Sequence, residues 1–185
     1  MPAICLQGSY YTAQLPASPY LARENPKKHD NRELVPFRKH ALMPRIQHTP
    51  ASHYPFVTEI QIYISHVNQG GHLDNAQLLT LVSEARVRFF NALGYLEAGV
   101  EGALIVVGDI VAQYLSEGFH GETMRVEMAA TDFNKYGFDL QFRMADKSSG
   151  RGVALGKLGI VFVNGHARKV TLVPPAFMEK VSHMG

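Results

Sequence analysis

The fold of this chain is indicated most clearly by the segment His66-Val67-Asn68-Gln69-Gly70-Gly71-His72-Leu73-Asp74-Asn75. Its paired glycines permit a sharp turn and let a ligand approach the backbone closely. Asp and Asn are residue types that cap helices, so Asp74 or Asn75 marks a predicted helix start. The segment therefore predicts a turn that a ligand can reach, placed at the N-terminus of a helix.

Periodic apolar residues flank this segment on both sides. After it, apolar side chains recur at spacings of three and four and predict a helix that runs to about Leu93, where Gly94 ends it. The predicted apolar stripe consists of Leu78, Leu79, Val82, Ala85, Phe89 and Leu93. Before it, Ile60, Ile62 and Ile64 alternate with polar or amphipathic residues and predict one apolar face of a strand. The order is thus strand, turn, helix.

Only strand-like segments follow the helix, separated by connections rich in Gly, Asn and Asp. One long helix must then cover one face of a largely antiparallel sheet of about five to six strands, since the apolar side of such a sheet has to be hidden. The fold class is predicted to be α+β. The predicted strands are 103–115, 123–133, 138–145, 153–163 and 168–173.

The first part of the chain has a different composition. Eight of the ten prolines lie in residues 1–55, as do seven Lys or Arg against three Asp or Glu, and no apolar period persists there. We expect residues 1–54 to be an extended or disordered N-terminal extension and residues 55–185 to form the folded domain.

Composition excludes several classes of protein. The single cysteine, Cys5, rules out an internal disulfide framework and a cysteine-based zinc site, and it favours a reducing, cytoplasmic location. No window approaches the roughly 20 apolar residues of a membrane span. No basic stripe interleaved with aromatic residues follows residue 55, so nucleic-acid binding is not expected.

Three motifs in this order resemble those of a known family: Gly71-His72-Leu73-Asp74-Asn75, Ser83-Glu84-Ala85-Arg86 and Phe119-His120-Gly121-Glu122-Thr123-Met124-Arg125-Val126-Glu127. They are similar to the Gly-His-Val-Asn-Asn, Glu-Glu-Ala-Arg and Tyr-Gly-Asp-Thr-Leu-Arg-Val-Glu motifs of hotdog-fold thioesterases, in particular the 4-hydroxybenzoyl-CoA and acyl-CoA thioesterase branch. The resemblance covers about residues 56–175.

The resemblance implies a hotdog fold, in which an antiparallel sheet wraps around one long central helix. It implies hydrolysis of acyl-CoA or related thioesters to free acid and thiol, with water as the nucleophile and no cofactor. It also implies a homodimer or a dimer of dimers. Many relatives carry an aspartate four residues before the motif histidine, and here that position is Asn68, which cannot act as a general base near neutral pH.

Thioester hydrolysis needs donors for the carbonyl oxygen and a positioned water. Backbone N–H groups at the helix start, near Gly71, His72 and Leu73, are predicted to form an oxyanion hole. Gly70 and Gly71 leave room for the acyl group, or they merely make the turn. The predicted substrate-binding residues are therefore Gly70, Gly71, Leu73 and Asn75.

The predicted catalytic residues are Asn68, His72 and Glu84. Asn68 would position the water or the acyl carbonyl, unless it is only a turn residue. His72 would bind the thioester oxygen or relay a proton, or else fix the loop by bonding to backbone. Glu84 lies 12 residues beyond His72, about 18 Å along a helix. It would therefore act only across a subunit interface, or pair with Arg86, Arg88 or a neighbouring strand.

Assembly and metal binding follow from the same elements. The segment 153–163 is predicted to be an edge strand, which would pair with a second copy of the chain. His66 and His72 raise the possibility of a metal ion, but no third ligand occurs at typical spacing, and no metal site is predicted.

Two other functions compete with hydrolysis. The first is non-catalytic binding or sensing of acyl thioesters, which the missing acidic residue at position 68 favours. The second is a hotdog hydratase or dehydratase, whose Asp and His pair is not recognisable in this sequence.

Overall fold

The computed structural model of the chain describes residues 46, 48–96 and 99–184. The segment 1–54, predicted to be extended or disordered, lies outside the described residues except for 46 and 48–54, which contain neither helix nor strand. In chain order the elements are β1 (Phe56–Gln61), a short 3-10 helix (Ile64–His66), α1 (Asn75–Ala92), β2 (Leu104–Tyr114), β3 (Thr123–Thr131), β4 (Gly137–Asp146), β5 (Gly152–Asn164), β6 (Lys169–Val170) and α2 (Pro175–Ser182).

Six strands form one antiparallel sheet in the order β1-β3-β4-β5-β2, with β6 paired to β5. The α+β class, the strand count and the long helix are as predicted. The prediction that 153–163 is an edge strand is wrong, because β5 is hydrogen-bonded to both β4 and β2. The edges are β1 and β2, and β2 is the one that leaves apolar side chains exposed along most of its length.

Helix α1 lies on one face of this sheet and forms the centre of the core. Asp74 caps its first turn, since its Oδ1 accepts a hydrogen bond from the Ala76 N–H at 2.8 Å. Gly94, with φ of +81°, follows its last turn, as expected for a residue that ends a helix. The buried face of the helix consists of Leu78, Leu81, Val82, Ala85, Phe89 and Phe90. Four of these residues were predicted, whereas Leu81 and Phe90 were not, and the predicted Leu79 is only partly buried.

The predicted apolar face of the first strand is correct for two of its three residues. Ile60 and Ile62 are buried, at 7% and 0% exposure, whereas Ile64 is 71% exposed. The strand ends at Gln61, and after Ile62 the chain turns into the 3-10 helix, where the two-residue alternation of a strand no longer applies. This early turn brings residues 67–73 to the start of α1.

Helix α2 was not predicted. Its Phe177 is fully buried, with ring centroids 5.2 Å from Phe138 and 5.3 Å from Phe162. The helix is eight residues long and begins at Pro175, directly after Pro174, and two consecutive prolines mark a turn more often than a helix. It closes the core at the end of the sheet where β4 begins.

The third motif of the resemblance has a structural role on the other face of the sheet. Glu127 is only 7% exposed and pairs with Arg143 and with Arg125, the latter at 2.7 Å. Burial opposes ionisation, but the hydrogen bonds and charges of Arg143 and Arg125 prevail and hold the pKa of Glu127 below its usual value. Glu127 is therefore a paired carboxylate and takes no part in the site described next.

Candidate active site

An open cleft of about 390 Å³ lies where the start of α1 meets the connection between β2 and β3. One wall is the glycine loop, residues 67–73, together with the first turn of α1. The other wall is the facing loop, residues 115–122, together with the end of β2. Asn68, His72, Leu73 and Asn75 line the first wall, and Ser116 and Glu117 belong to the second. Four of the seven residues predicted from the sequence are thus brought together.

The glycine loop is a tight, internally bonded turn. The Asn68 N–H donates to the His72 carbonyl at 3.0 Å, and the Gly71 N–H donates to the Asn68 carbonyl at 3.0 Å. Gly71 has φ of +83°, a conformation that favours glycine. A Cβ on Gly70 would lie 3.0 Å from His72 Nε2, so the absence of a side chain lets the imidazole pack over the loop. Gly71 thus permits the turn, and Gly70 leaves room for the His72 imidazole.

The side chain of Asn68 is fixed by this turn. Its Oδ1 accepts a hydrogen bond from the Gly70 N–H at 2.8 Å, and its Nδ2 then lies 3.5 Å from Nδ1 of His72. The hydrogen bond from the Gly70 N–H identifies the oxygen of the Asn68 amide, because only the oxygen can accept from an N–H. Asn68 therefore presents its NH₂ group to His72.

The facing loop is held against the glycine loop. The Leu73 N–H donates to the Gly118 carbonyl at 2.8 Å, and His72 forms a bridge with Phe119. Gly118 is buried, and a Cβ there would lie 2.9 Å from Cδ1 of Ile62. The contact is close because no side chain intervenes.

Two of the three predicted oxyanion-hole donors are not free. The Gly71 and Leu73 N–H groups are used by the turn and by the facing loop, so the prediction is wrong for these two. Within the described part of the chain, the N–H groups of His72 and Asn75 have no hydrogen-bond partner. Asn75 is the first residue of α1, where backbone N–H groups lack intrahelical partners and the helix dipole is positive. Both residues line the cleft, so their N–H groups are the backbone donors that remain available there.

Arg151 anchors the facing loop from behind. Its Nη2 lies 2.6 Å from Oε1 of Glu122, and its Nη1 donates to Ser116 Oγ at 2.8 Å and to the Glu117 carbonyl. Oε2 of Glu122 accepts a hydrogen bond from the Phe119 N–H at 2.9 Å. This network sets the backbone of the second wall. No sequence motif indicated it, because Arg151 lies in a different segment of the chain from its partners, which all belong to the facing loop.

Glu84 does not line the cleft. Its Oε1 accepts a hydrogen bond from Arg88 Nε at 2.7 Å, and Arg88 continues to Thr58 Oγ1 at 3.1 Å and to the Glu59 carbonyl. Of the alternatives predicted for Glu84, this geometry matches the pairing with Arg88. The contact joins α1 to β1, on the side of the helix away from β2.

Sequence reasoning missed Glu117. Its Oε1 lies 3.9 Å from Nε2 of His72, and its side chain is 62% exposed. The only signal in the sequence was its position in a glycine-rich connection, which also describes many turns. Among the described residues, no group of three or more His, Cys, Asp or Glu side chains is arranged to hold a metal ion.

The model of a known family, described as the thioesterase-like superfamily, matches residues 63–181. The chain belongs to this superfamily. The match includes both loops and all of α1, so the cleft lies within the family's own region. The family assignment confirms the prediction of a thioesterase-like hydrolase, whereas the 4-hydroxybenzoyl-CoA branch stays a prediction.

Solved structures share the fold of this thioesterase-like chain. A 1,4-dihydroxy-2-naphthoyl-CoA thioesterase from Synechocystis superimposes with a TM-score of 0.63 at 15% identity, covering 69% of this chain and 95% of that one. A Staphylococcus aureus protein in complex with CoA gives 0.64 at 18% identity, with coverages of 70% and 82%. A Thermus thermophilus thioesterase complexed with coenzyme A and zinc gives 0.63 at 20% identity, with coverages of 72% and 97%. The predicted hotdog fold is confirmed.

No curated protein matches the chain in sequence. Neither helix in the described ranges combines the length and the apolar character that a membrane crossing requires.

Proposed function

We propose that this protein hydrolyses acyl-CoA or related thioesters to the free acid and the thiol, with water as the nucleophile and without a cofactor. The observation that carries the proposal is the open cleft at the start of α1, where the backbone N–H groups of two cleft-lining residues, His72 and Asn75, have no partner among the described residues. The superfamily and the CoA complexes of two structural neighbours support the same chemistry.

The developing negative charge on the thioester oxygen would be stabilised by the two N–H groups. They are preorganised, because the turn and the helix hold them before substrate arrives, and donors of this kind act more strongly in a site from which substrate displaces water. The first turn of α1 adds the positive end of its dipole. The acyl group would lie along Leu73, Leu78 and Val153, which give the cleft an apolar floor. Gly70 and Gly71 would let it approach the backbone.

The alternative function is non-catalytic binding or sensing of acyl thioesters. Asn68 favours it, since its amide cannot take a proton from water and its Oδ1 already accepts from the Gly70 N–H. Binding would use the same N–H groups and the same apolar floor. A cytoplasmic location stays a prediction of the cysteine usage.

A panel of acyl-CoAs with a thiol reagent tests hydrolysis. We expect turnover by the wild-type chain, a loss of about 100-fold in kcat for His72→Ala, and about 10-fold for Asn68→Ala, magnitudes typical of lost positioning or proton-transfer groups. His166→Ala, an exposed histidine in the turn after β5, is the control and should keep wild-type activity.

Two results would contradict this assignment. Turnover that survives both His72→Ala and Asn68→Ala would remove the site. Tight binding of acyl-CoA without turnover would favour the sensing function.

We also propose that the protein is a homodimer, or a dimer of dimers, joined through β2. This edge strand exposes apolar residues on both faces, with Ile110 and Val106 each 45% exposed. An unpaired apolar edge is a template for pairing with a second strand, and a second copy offers the same edge in the antiparallel sense.

Ile110→Lys is expected to shift the chain from dimer to monomer in analytical ultracentrifugation, because a lysine would have to be desolvated in the joined sheet. Val57→Lys is the matched control: Val57 is 42% exposed on β1, the opposite edge. A monomeric wild type, or an Ile110→Lys variant that sediments as a dimer, would argue against this interface.

A further inference from the structure

We infer that the carboxylate of Glu117 is the general base of this site and takes over the function of the acidic residue that the glycine loop lacks at Asn68. The inference rests on the proposed hydrolysis and names a residue that the motifs did not indicate. It follows from three observations: the other carboxylates around the cleft are engaged, the backbone of Glu117 is held in place, and its side chain faces His72.

The other acidic side chains near the cleft already have partners. Asp74 caps α1 by accepting from the Ala76 N–H. Glu122 binds Arg151 through one oxygen and the Phe119 N–H through the other. In the described part of the chain, the Glu117 carboxylate accepts no hydrogen bond within 3.5 Å, and the one basic side chain within 4.0 Å of it is His72. Glu117 is thus the carboxylate of the cleft that remains able to accept a proton.

The backbone of Glu117 is held from two directions. Arg151 donates to its carbonyl, and the next residue, Gly118, accepts from the Leu73 N–H at 2.8 Å. The charge of Arg151 is neutralised by Glu122, at 2.6 Å, so this guanidinium anchors the backbone and leaves the Glu117 carboxylate unengaged. The result is a fixed main chain that carries an exposed acidic side chain, and this suits a group that must reach a water and release a proton.

The imidazole of His72 links Glu117 to Asn68. A carboxylate near Nε2 favours the tautomer with its proton on Nε2, and Nδ1 is then an acceptor for the Asn68 NH₂ group, 3.5 Å away. If His72 also gains a proton on Nδ1, that nitrogen can donate instead to the Leu73 carbonyl at 3.3 Å. Asn68 at this position therefore keeps the Nε2 proton directed at Glu117, which an aspartate would not do.

The reaction balances with these groups. Water attacks the thioester carbonyl carbon and forms a C–O bond while one of its protons passes to the Glu117 carboxylate. The oxyanion is held by the N–H groups of His72 and Asn75. When the intermediate collapses, the C–S bond breaks and the thiolate takes the proton from Glu117. The products are the acid and the thiol, and the Glu117 carboxylate is restored.

The test compares Glu117→Gln and Glu117→Ala with the wild type on the panel acyl-CoA that the wild type hydrolyses fastest. We expect kcat to fall about 100-fold or more in both variants with KM changed less than threefold, because the base acts in the transition state. We expect the fall of wild-type kcat/KM at acidic pH to be lost in Glu117→Gln. Added formate should restore part of the activity of Glu117→Ala. Glu179→Gln, which removes an exposed acid from α2, is the control.

The outcomes separate the two proposals. If the wild type turns over and the kcat of Glu117→Gln lies within threefold of the wild-type kcat, the inference is overturned while hydrolysis stands. The same conclusion follows if Glu117→Gln keeps the fall of kcat/KM at acidic pH. Absence of wild-type turnover on every acyl-CoA would overturn hydrolysis and the inference with it. A drop in kcat without rescue by formate, together with a lower melting temperature, would assign Glu117 to loop structure and overturn its function as a base.

Discussion

Phe177→Ala is expected to lower the free energy of unfolding by about 3–5 kcal/mol, the usual cost of removing a fully buried phenylalanine. The side chain is 0% exposed, and its ring contacts the rings of Phe138, Phe162 and Phe90, the last with a centroid distance of 5.8 Å. These rings come from β4, β5 and α1, which cannot all move to fill the space. Denaturation by urea, followed by circular dichroism, measures the change.

Met178→Ala is the matched control, since Met178 is the next residue of α2 and is 47% exposed. Its effect should stay within about 0.5 kcal/mol, as for most surface substitutions. A Phe177→Ala variant that loses less than about 1 kcal/mol would show that α2 is not part of the core.

Gly156→Ala is expected to destabilise the protein by about 3 kcal/mol or more, at or beyond the upper end of the usual cost of overpacking. A Cβ on Gly156 would lie 1.9 Å from the Val111 carbonyl oxygen, which belongs to the backbone of β2 and cannot rotate away. Gly156 also pairs with Phe142 on β4, so β5 cannot shift toward that side without disturbing a second ladder. Tyr114 at the end of β2 lines the cleft, so a displacement of β2 should lower thioester turnover as well.

Gly108→Ala provides the comparison for this substitution. Gly108 lies on the same strand, β2, and the nearest atom to its Cβ would be Cγ2 of Val161 at an ordinary contact distance of 3.4 Å. We expect a change below about 1 kcal/mol. Equal unfolding midpoints for the two alanine variants would show that the β2–β5 ladder tolerates a side chain at Gly156.

The strands and the central helix could be predicted because their signals are local. Apolar residues at spacings of three and four from Leu78 to Phe89 specify one buried face of a helix, whatever the helix packs against. Asp74 caps this helix by accepting a hydrogen bond from the N–H of Ala76, only two residues away. The glycine loop could be predicted for the same reason, since Gly71 needs a positive φ whatever lies beside it.

The predictions that failed depend on neighbours distant in sequence. Ile64 has the same spacing as Ile60 and Ile62, but the sheet partner of β1 ends first, at Thr123 opposite Gln61. The apolar character of segment 153–163 fits an edge strand that pairs with a second copy of the chain. It fits equally well a strand buried between two others, which is what the sheet contains. Helix α2 forms because Phe177 fills a space among rings from three elements.

For the candidate site, the chain's own sequence determined the first wall: a turn of glycines, a histidine within it and a helix that begins just after, all set by interactions spanning a few residues. The tertiary structure alone decided the second wall. Glu117 stands 45 residues from His72, and the two meet because the Leu73 N–H binds the Gly118 carbonyl and because Arg151, the residue before β5, holds the loop. Such a meeting depends on strand pairing across the sheet, which no short stretch of sequence encodes.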